Sequence, residues 1–516
     1  TATSTVIGSG VTINAGGLNI TGVCTATTFE GSGASLTGVA MTITPLSYNP
    51  DVSDSGVTVG TGIGITFDHR ILAGSGNVTL SVATNAGAAG TTVENFGVGS
   101  SVTIAGRKAS ISPASDLSEG ETYHISYPSG AFTNTSGDVS YVGTAYTFGA
   151  QKFIKSVWSW GYNAKGQLAQ NDVVTRSSPI QIPGATWTGM SLGFEPILTS
   201  GVKSDGTAWT WGSNSFGQLG HNSEINYSSP VQIPGTTWAT ITSGSYATFG
   251  VKTDGTLWTW GHNAFGRLGQ NTPVNTARSS PTQVPGTTWS SGDRKFMTGY
   301  EGNSGAIRTD GTLWVWGNNQ HGELGLNQSN PTKYSSPVQV PGTTWSQFRT
   351  YKGQCYTIKT DGTWWAWGLN QYGQLGDNSV VRRSSPVQVP GTTWSKMSGS
   401  MDNAYGVKTD GTLWAWGYNV GGSLGLNQPD NTKCSSPTQV GTDTTWTDIA
   451  GGYRSVIATK TDGTLWAWGT NNYGGLGQNS TIEYSSPIQI TGTNWDNTII
   501  DGAKYGKQQY VIYKKV

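Results

Sequence analysis

The ten-residue phrase KTDGTLWAWG stands at 408–417 and again, letter for letter, at 460–469, with near copies at 203–212, 252–261, 308–317 and 359–368. Each copy sits in a longer unit. A Trp-Gly pair falls at Trp160, Trp211, Trp260, Trp316, Trp367, Trp416 and Trp468, at intervals of 51, 49, 56, 51, 49 and 52 residues. A Ser-Ser-Pro marker follows each pair, first at Pro179 and last at Pro487, and a lone tryptophan follows that, first at Trp187 and last at Trp495. Three markers written seven times in one order require seven copies of one structure. A strand-rich period of about 40–50 residues indicates a propeller.

In one unit, residues 231–233, 238–243, 247–252 and 256–260 each read as a strand. Asp254-Gly255 joins the last two and reads as a two-residue hairpin turn, with positive φ at both positions. Trp258 and Trp260 are two apart, so both face one side of the strand. That side is expected to wedge against the neighbouring blade. The Asp-Gly-Thr turn occurs six times rather than seven. Residues 510–513 match the strand before the turn, and residues 157–160 match the strand after it. Pairing the two closes the ring with strands from both ends and leaves no open edge.

Composition agrees with an all-β chain. Charged residues are 11% of the 516, against about 25% in an average protein, while Gly (75) and Trp (22) are abundant. Net charge is zero, so no basic field announces nucleic acid. No apolar run of 18 residues and no leader-like segment is present, and membrane insertion is not expected. Cys24, Cys355 and Cys434 are too few and too widely spaced for a disulfide framework or a zinc pattern. Residues 41–150 alternate apolar and polar over 64–67, 77–82, 101–104, 122–127 and 145–148 and read as a small β-sandwich. Residues 1–40 hold only brief alternating pieces around Val6, Val11, Ile13, Leu18, Ile20 and Val23, too little apolar surface to fold alone. They read as a flexible leader or as fibre-like β structure buried against identical chains.

Three resemblances follow. WGSNSFGQLG (211–220), WGHNAFGRLG (260–269), WGNNQHGELG (316–325) and WGLNQYGQLG (367–376) resemble the RCC1-type repeat, named for a regulator of chromosome condensation, over residues 151–516. This resemblance implies a seven-bladed β-propeller. Family roles range from nucleotide exchange on a small GTPase and nucleosome contact to enzyme inhibition and surface binding. The neutral charge speaks against the nucleosome role. SGSYATFGVKTDG (243–255) lacks the His-Thr often found there, as in the bacterial or viral branch of the repeat. ITPLSYNPDVSDSGVTVGTGIGITFDHRILAGSGNVTL (43–80) resembles bacterial Ig-like domains of surface proteins, usually spacers. GVCTATTFEGSGASLTGV (22–39) is similar to a short repeat in fibre proteins of marine bacteriophages, particularly those of cyanobacteria.

Signs of catalysis are poor. The five histidines have no partner at metal-ligand spacing. There is no nucleophile elbow, and the Gly-rich pieces do not open helices as phosphate loops do. The six turn aspartates are spaced one per blade, as turn chemistry requires. No catalytic, metal or cofactor residue is assigned, and an enzyme is not expected.

Binding residues are sought where the blades differ. The second place of the Gly-x-Asn-x-x-Gly loop varies (Tyr162, Ser213, His262, Asn318, Leu369, Tyr418, Thr470), which suggests exposure. The fifth place is aromatic in most copies and reads chiefly as blade packing. The fourth repeat is the longest. Its extra residues lie in SSGDRKFMTGYEGNSGA (290–306) and form a loop with charged and aromatic side chains. Such loops collect binding residues, although a tolerated insertion explains them too. The candidate ligand-binding residues are therefore Arg294, Lys295, Phe296, Tyr300, Tyr162 and Tyr418. The order of segments suggests a bacteriophage virion protein, a tail fibre or capsid decoration on the surface of an extracellular particle. It would hold other virion proteins through its N-terminal segment, form a homotrimer and present the propeller to a host surface glycan or protein. The alternative is a secreted or cell-surface bacterial protein- or carbohydrate-binding module.

Overall fold

The computed structural model describes residues 11–14, 17–20 and 42–515, the last range with gaps at 53–56, 58–61, 85, 115–116, 119, 138, 151–154, 185, 195–197, 329–331 and 503–508. The chain forms two compact units, residues 1–153 and 154–516. The expectation of a fibre-like stretch at 1–40 lies outside the described residues, apart from an antiparallel hairpin of Val11–Asn14 with Gly17–Ile20.

The first unit packs two four-stranded antiparallel sheets. One runs in the order Thr144–Gly149, Thr122–Tyr127, Asn77–Ala83, Ala89–Gly97, and the other Pro45–Asn49, Ile63–Phe67, Lys108–Ile111, Thr103–Ala105. Alternate residues of these strands meet inside: Ile63, Phe67, Val78, Leu80, Ile125 and Phe148 are all buried. The alternation visible in the sequence is this inner face. The strands Pro45–Asn49 and Ala89–Gly97 are mostly exposed and carry no such signal.

Among the described residues the second unit is a closed ring of seven four-stranded sheets, of which sheet 1 holds Lys155–Gly161 and sheets 2 to 7 open with Trp187–Leu192, Trp238–Ser243, Phe296–Thr298, Trp345–Thr350, Trp394–Gly399 and Trp446–Gly451. Sheet 3 shows the plan: Trp238–Ser243, Ala247–Lys252, Leu257–His262 and Ala277–Gln283, each antiparallel to the next. The opening strand lies nearest the axis and the Ser-Ser-Pro strand lies at the outer edge. This corrects the unit drawn from the sequence. Val231 belongs to Tyr227–Gln232, the outer strand of the preceding sheet, paired with Ala208–Gly212. Proline explains the assignment, because it has no N–H to give and suits an edge strand.

Sheet 1 is assembled from both ends of the chain. Lys155–Gly161 pairs with Gln509–Lys515, with Val157 opposite Tyr513 and Trp160 opposite Tyr510. Gln509–Lys515 also pairs with Trp495–Gly502, so it is an interior strand.

The repeated phrase has a specific job at each letter. The turn is not the two-residue form expected. Gly255 alone has positive φ (76°), and Gly255 N–H donates to Lys252 O while Lys252 N–H donates to Thr256 O. It is the three-residue hairpin loop that ends on a left-handed glycine. A side chain there would also strike Thr287 O, 2.4 Å from an added Cβ. Asp254 accepts from both the backbone N–H and the hydroxyl of Thr256, and Thr256 Oγ1 accepts from Trp258 Nε1 at 2.8 Å. The same chain of bonds recurs at all six turns, for instance at Asp410, Thr412 and Trp414. These bonds hold the turn carboxyls below their usual range, first through the threonine hydroxyl.

The two tryptophans of the phrase divide the work. Trp416 is fully buried, and its indole donates to Gln374 O in the preceding blade at 3.0 Å. Trp160, Trp211, Trp316, Trp367 and Trp468 make the matching bond. In six of the seven copies the loop after Trp-Gly ends in a glycine that leaves room for that ring, and an added Cβ at Gly376 would lie 2.6 Å from Trp416 Nε1; the first copy carries Ala169 there. Trp414 is only half-buried. Lys408 lies over it at 4.2 Å and over the lone Trp394 at 4.9 Å. A lysine or arginine lies between two tryptophans in this way in all seven sheets, from Lys203 to Lys514. The two ends of the phrase and the lone tryptophan, which stand apart in sequence, thus meet at one point of each blade. Cation–π contacts of this exposure contribute about 0.5–1 kcal/mol each. Lys408→Met keeps the stem and removes the charge. It is expected to lower unfolding stability by about 1–2 kcal/mol, two such contacts, in urea titration.

Candidate functional site

The long insertion of the fourth repeat does not project outward. The first strand of sheet 4 begins only at Phe296, and residues 291–294 bulge from it toward the axis. Gly292 N–H donates to Thr240 Oγ1 of sheet 3 at 2.9 Å. Arg294 crosses the ring: Nε donates to Met397 O of sheet 6 at 3.1 Å, and Nη2 donates to the Asp448 carboxylate of sheet 7 at 2.7 Å. Its Nη1 donates to Asp293 at 2.7 Å, whose other oxygen accepts from Arg349 of sheet 5 at 2.9 Å. Only a loop lying across the axis can touch sheets 3, 5, 6 and 7. Burial works against the Arg294 charge, but Asp293 and Asp448 more than offset it and hold the guanidinium charged. Burial pushes the Asp448 carboxyl up, and Arg294 and Lys396 oppose that rise.

Beside this bridge lies a cavity of about 280 Å³, whose wall includes Thr188, Met190, Thr240, Arg294, Arg349 and Tyr513. A second space of about 250 Å³ shares Asp293 and Arg294 and adds Lys295, Gln347 and Lys396. Phe194 meets Tyr351 across the ring, ring centroids 6.2 Å apart. These two residues follow the innermost strands, so they lie toward the end away from the Asp-Gly turns. The charged bridge lies toward the turn end, because Arg294 precedes its strand.

Of the candidates read from the sequence, Arg294 and Lys295 belong to this site. Arg294 is buried rather than loop-exposed, and Lys295 Nζ donates to Ser346 O at 2.6 Å. Phe296 is a core residue, 1% exposed, packed in the cluster that holds Trp289 and Trp316. It cannot meet a ligand, since it starts the inner strand and points between blades. Tyr300 follows that strand at the opposite end and packs against a core cluster. Tyr162 and Tyr418 also lie at the opposite end, just after Trp-Gly, Tyr418 within the strand Leu413–Asn419. Tyr418 stacks flat on Tyr372 of the preceding blade, centroids 4.4 Å apart at 4°, and Tyr162 meets Tyr473 edge-on at 5.3 Å. His262 stacks on Phe216 in the same way. The variable second place is therefore not an exposed ring. It faces the fifth place of the blade before it, and Ser213, Asn318, Leu369 and Thr470 there are buried.

Arg349, Lys396 and Asp448 were not singled out in sequence. The signal was present: they fall two or four places after a lone tryptophan, where other innermost strands carry Gly189, Ser191, Thr240 or Thr242. Period two places these positions on the axis side.

No group of three or more metal-ligating side chains occurs among the described residues. The third place of every turn loop is an asparagine whose Oδ1 accepts from the leucine N–H five residues on, as Asn214 does from Leu219 at 2.8 Å. The same bond forms from Asn163 to Asn471. Burial pushes the Cys355 thiol up to about 12, which disfavours the nucleophilic thiolate.

Known proteins agree with this architecture. Residues 205–251, 254–291, 310–348, 361–399, 410–459 and 462–503 match the model of the regulator of chromosome condensation (RCC1) repeat, and a second model of that repeat matches 238–267 and 446–474. Residues 39–150 match a bacterial Ig-like domain. The ultraviolet-B receptor UVR8 of Arabidopsis thaliana is 26% identical over 343 residues, 65% of each chain. Alsin of Rattus norvegicus is 32% identical over 99 residues, 18% of this chain and 6% of its own. The chain thus spans less than two thirds of the curated relatives it matches first. Among solved structures, human WBSCR16 superposes with TM-score 0.59 at 18% identity, covering 70% of this chain and 99% of that one. Prp20p of Saccharomyces cerevisiae, described with its binding to Gsp1p and histones, superposes with TM-score 0.60 at 16% identity, covering 70% and 92%.

Proposed function

The chain belongs to the family of RCC1-repeat proteins, and on that premise we propose that it is a non-enzymatic binding protein that presents its propeller to a cell surface. One observation carries this reading. The repeated residues are consumed by the fold itself, while the departures from the repeat converge on a charged cavity at the axis. A site made by departures on a rigid ring is suited to recognition, because binding residues work best on a scaffold that does not move.

The setting we propose is a bacteriophage virion, as a tail fibre or capsid decoration. The N-terminal segment would join other virion proteins and hold three copies together, and the Ig-like domain would serve as spacer. The resemblance of residues 22–39 to phage fibre repeats supports this setting. Three heads on one stalk would raise a weak affinity by high effective concentration. The match to a bacterial Ig-like domain favours a second setting, a secreted or cell-surface bacterial protein. Immunogold microscopy with antibody to residues 151–516 separates the two. Gold on particle fibres or capsids supports the virion, and gold on cells alone removes it. Sedimentation of the intact chain at three times its monomer mass is expected, and a monomer contradicts the trimer.

A further inference from the structure

We propose that the axial cavity binds an acidic sugar unit, a monosaccharide whose ring carries a carboxylate. This deepens the surface-binding reading above and rests on it for biological setting, not for chemistry. Arg294 and Arg349 line the cavity and Lys295 and Lys396 the adjoining space, against three carboxylates, Asp293, Asp448 and the buried Asp496 that acts on Tyr513. Counted over both spaces, four cations against three carboxylates leave one positive charge in excess among the described residues. A guanidinium offers five N–H donors. Arg349 gives one to Phe348 O and one to Asp293, and Arg294 gives three to Met397 O, Asp293 and Asp448. Both keep donors for an added anion, and both line the cavity.

A second observation points to a ligand with hydroxyl groups. Tyr513 is 7% exposed, lines the same cavity, and its hydroxyl has no protein partner. A buried hydroxyl without a partner is costly, so a bound group that pairs with it gains. Thr188, Thr240 and Thr242 add hydroxyls on the same wall, and Met190 and Ile241 supply apolar surface for the C–H face of a ring. The cavity, about 280 Å³, lies at the small end of ligand sites, which begin near about 300 Å³. That size suits one sugar residue rather than a nucleotide or a peptide. Guanidinium pairs match the planar carboxylate geometry, and the threonine and tyrosine hydroxyls of the wall match the polyol.

The test is calorimetric titration of the full chain with sodium glucuronate, glucose and inorganic phosphate. Saturable binding of glucuronate without binding of glucose is expected. Tyr513→Phe removes one hydroxyl that the fold does not use. It should leave the unfolding midpoint unchanged or raised and weaken glucuronate about tenfold, the loss of one hydrogen bond. Arg349→Gln should weaken it further. Equal binding of glucose, no saturation by glucuronate, or phosphate binding with glucuronate silent would each overturn the proposal. So would a Tyr513→Phe chain that binds like the wild type. If glucuronate fails while the chain still coats cells, the acidic sugar is lost and the surface-binding reading survives. If both fail, that reading falls with it.

Discussion

Trp416→Ala lowers the stability of the propeller by about 3–5 kcal/mol, the usual loss for a buried tryptophan. The ring is wholly enclosed, 4.8 Å from Trp364 and 5.8 Å from Trp394 by centroids, and it closes the seam between two blades. Its removal leaves a cavity that the stiff neighbouring strands cannot fill, and it deletes the indole bond to Gln374 O. Trp414→Ala, two residues away, removes a half-buried ring and should cost clearly less. Intrinsic fluorescence in urea reads both variants. All 22 tryptophans lie between Trp158 and Trp495, so the signal reports the propeller and not the Ig-like unit. A loss equal for the two variants would refute the division of labour between them.

Removal of residues 509–515 should abolish the cooperative transition altogether. The strand is interior to sheet 1 and pairs on both sides. Tyr510, Val511 and Ile512 are fully buried, and Val and Ile alone contribute about 1.5–3 kcal/mol each. Lys514 lies over Trp158 and Trp495. Together these losses approach the whole stability of a typical domain, about 5–15 kcal/mol. Two unpaired edges would also face solvent, a template for association between chains. Light scattering and urea-dependent fluorescence on the truncated chain are the measurements. A soluble monomer with an ordinary sharp transition would show that closure by the C-terminal strand is not needed.

The ring was legible because each blade uses the same letters for the same contacts. Trp-Gly, Asp-Gly-Thr and Ser-Ser-Pro each answer a local demand that sequence displays: a seam to fill, a turn to make, an edge to leave unpaired. The missing seventh turn pointed to the pairing of residues 157–160 with 510–513 for the same reason. Asp-Gly suits two hairpin loops, so the dipeptide alone does not fix the turn type, and only the bond from Lys252 N–H to Thr256 O tells them apart. The site was only partly legible. The insertion at 290–306 marked the right repeat, but an insertion can bulge outward or inward, and nothing local decides which. Inward is set by Asp448, 154 residues away from Arg294. Phe296 reads as a loop residue in sequence because the insertion ends earlier than its composition suggests. Tyr162 and Tyr418 looked free because their stacking partners, Tyr473 and Tyr372, lie in other blades.

The most direct measurement is a glycan array probed with the intact chain and with its Arg349→Gln variant. Signal confined to glycans that carry a carboxylate, and lost in the variant, is the expected result. Signal on neutral glycans, or signal indifferent to Arg349, would contradict recognition at the axis of the ring.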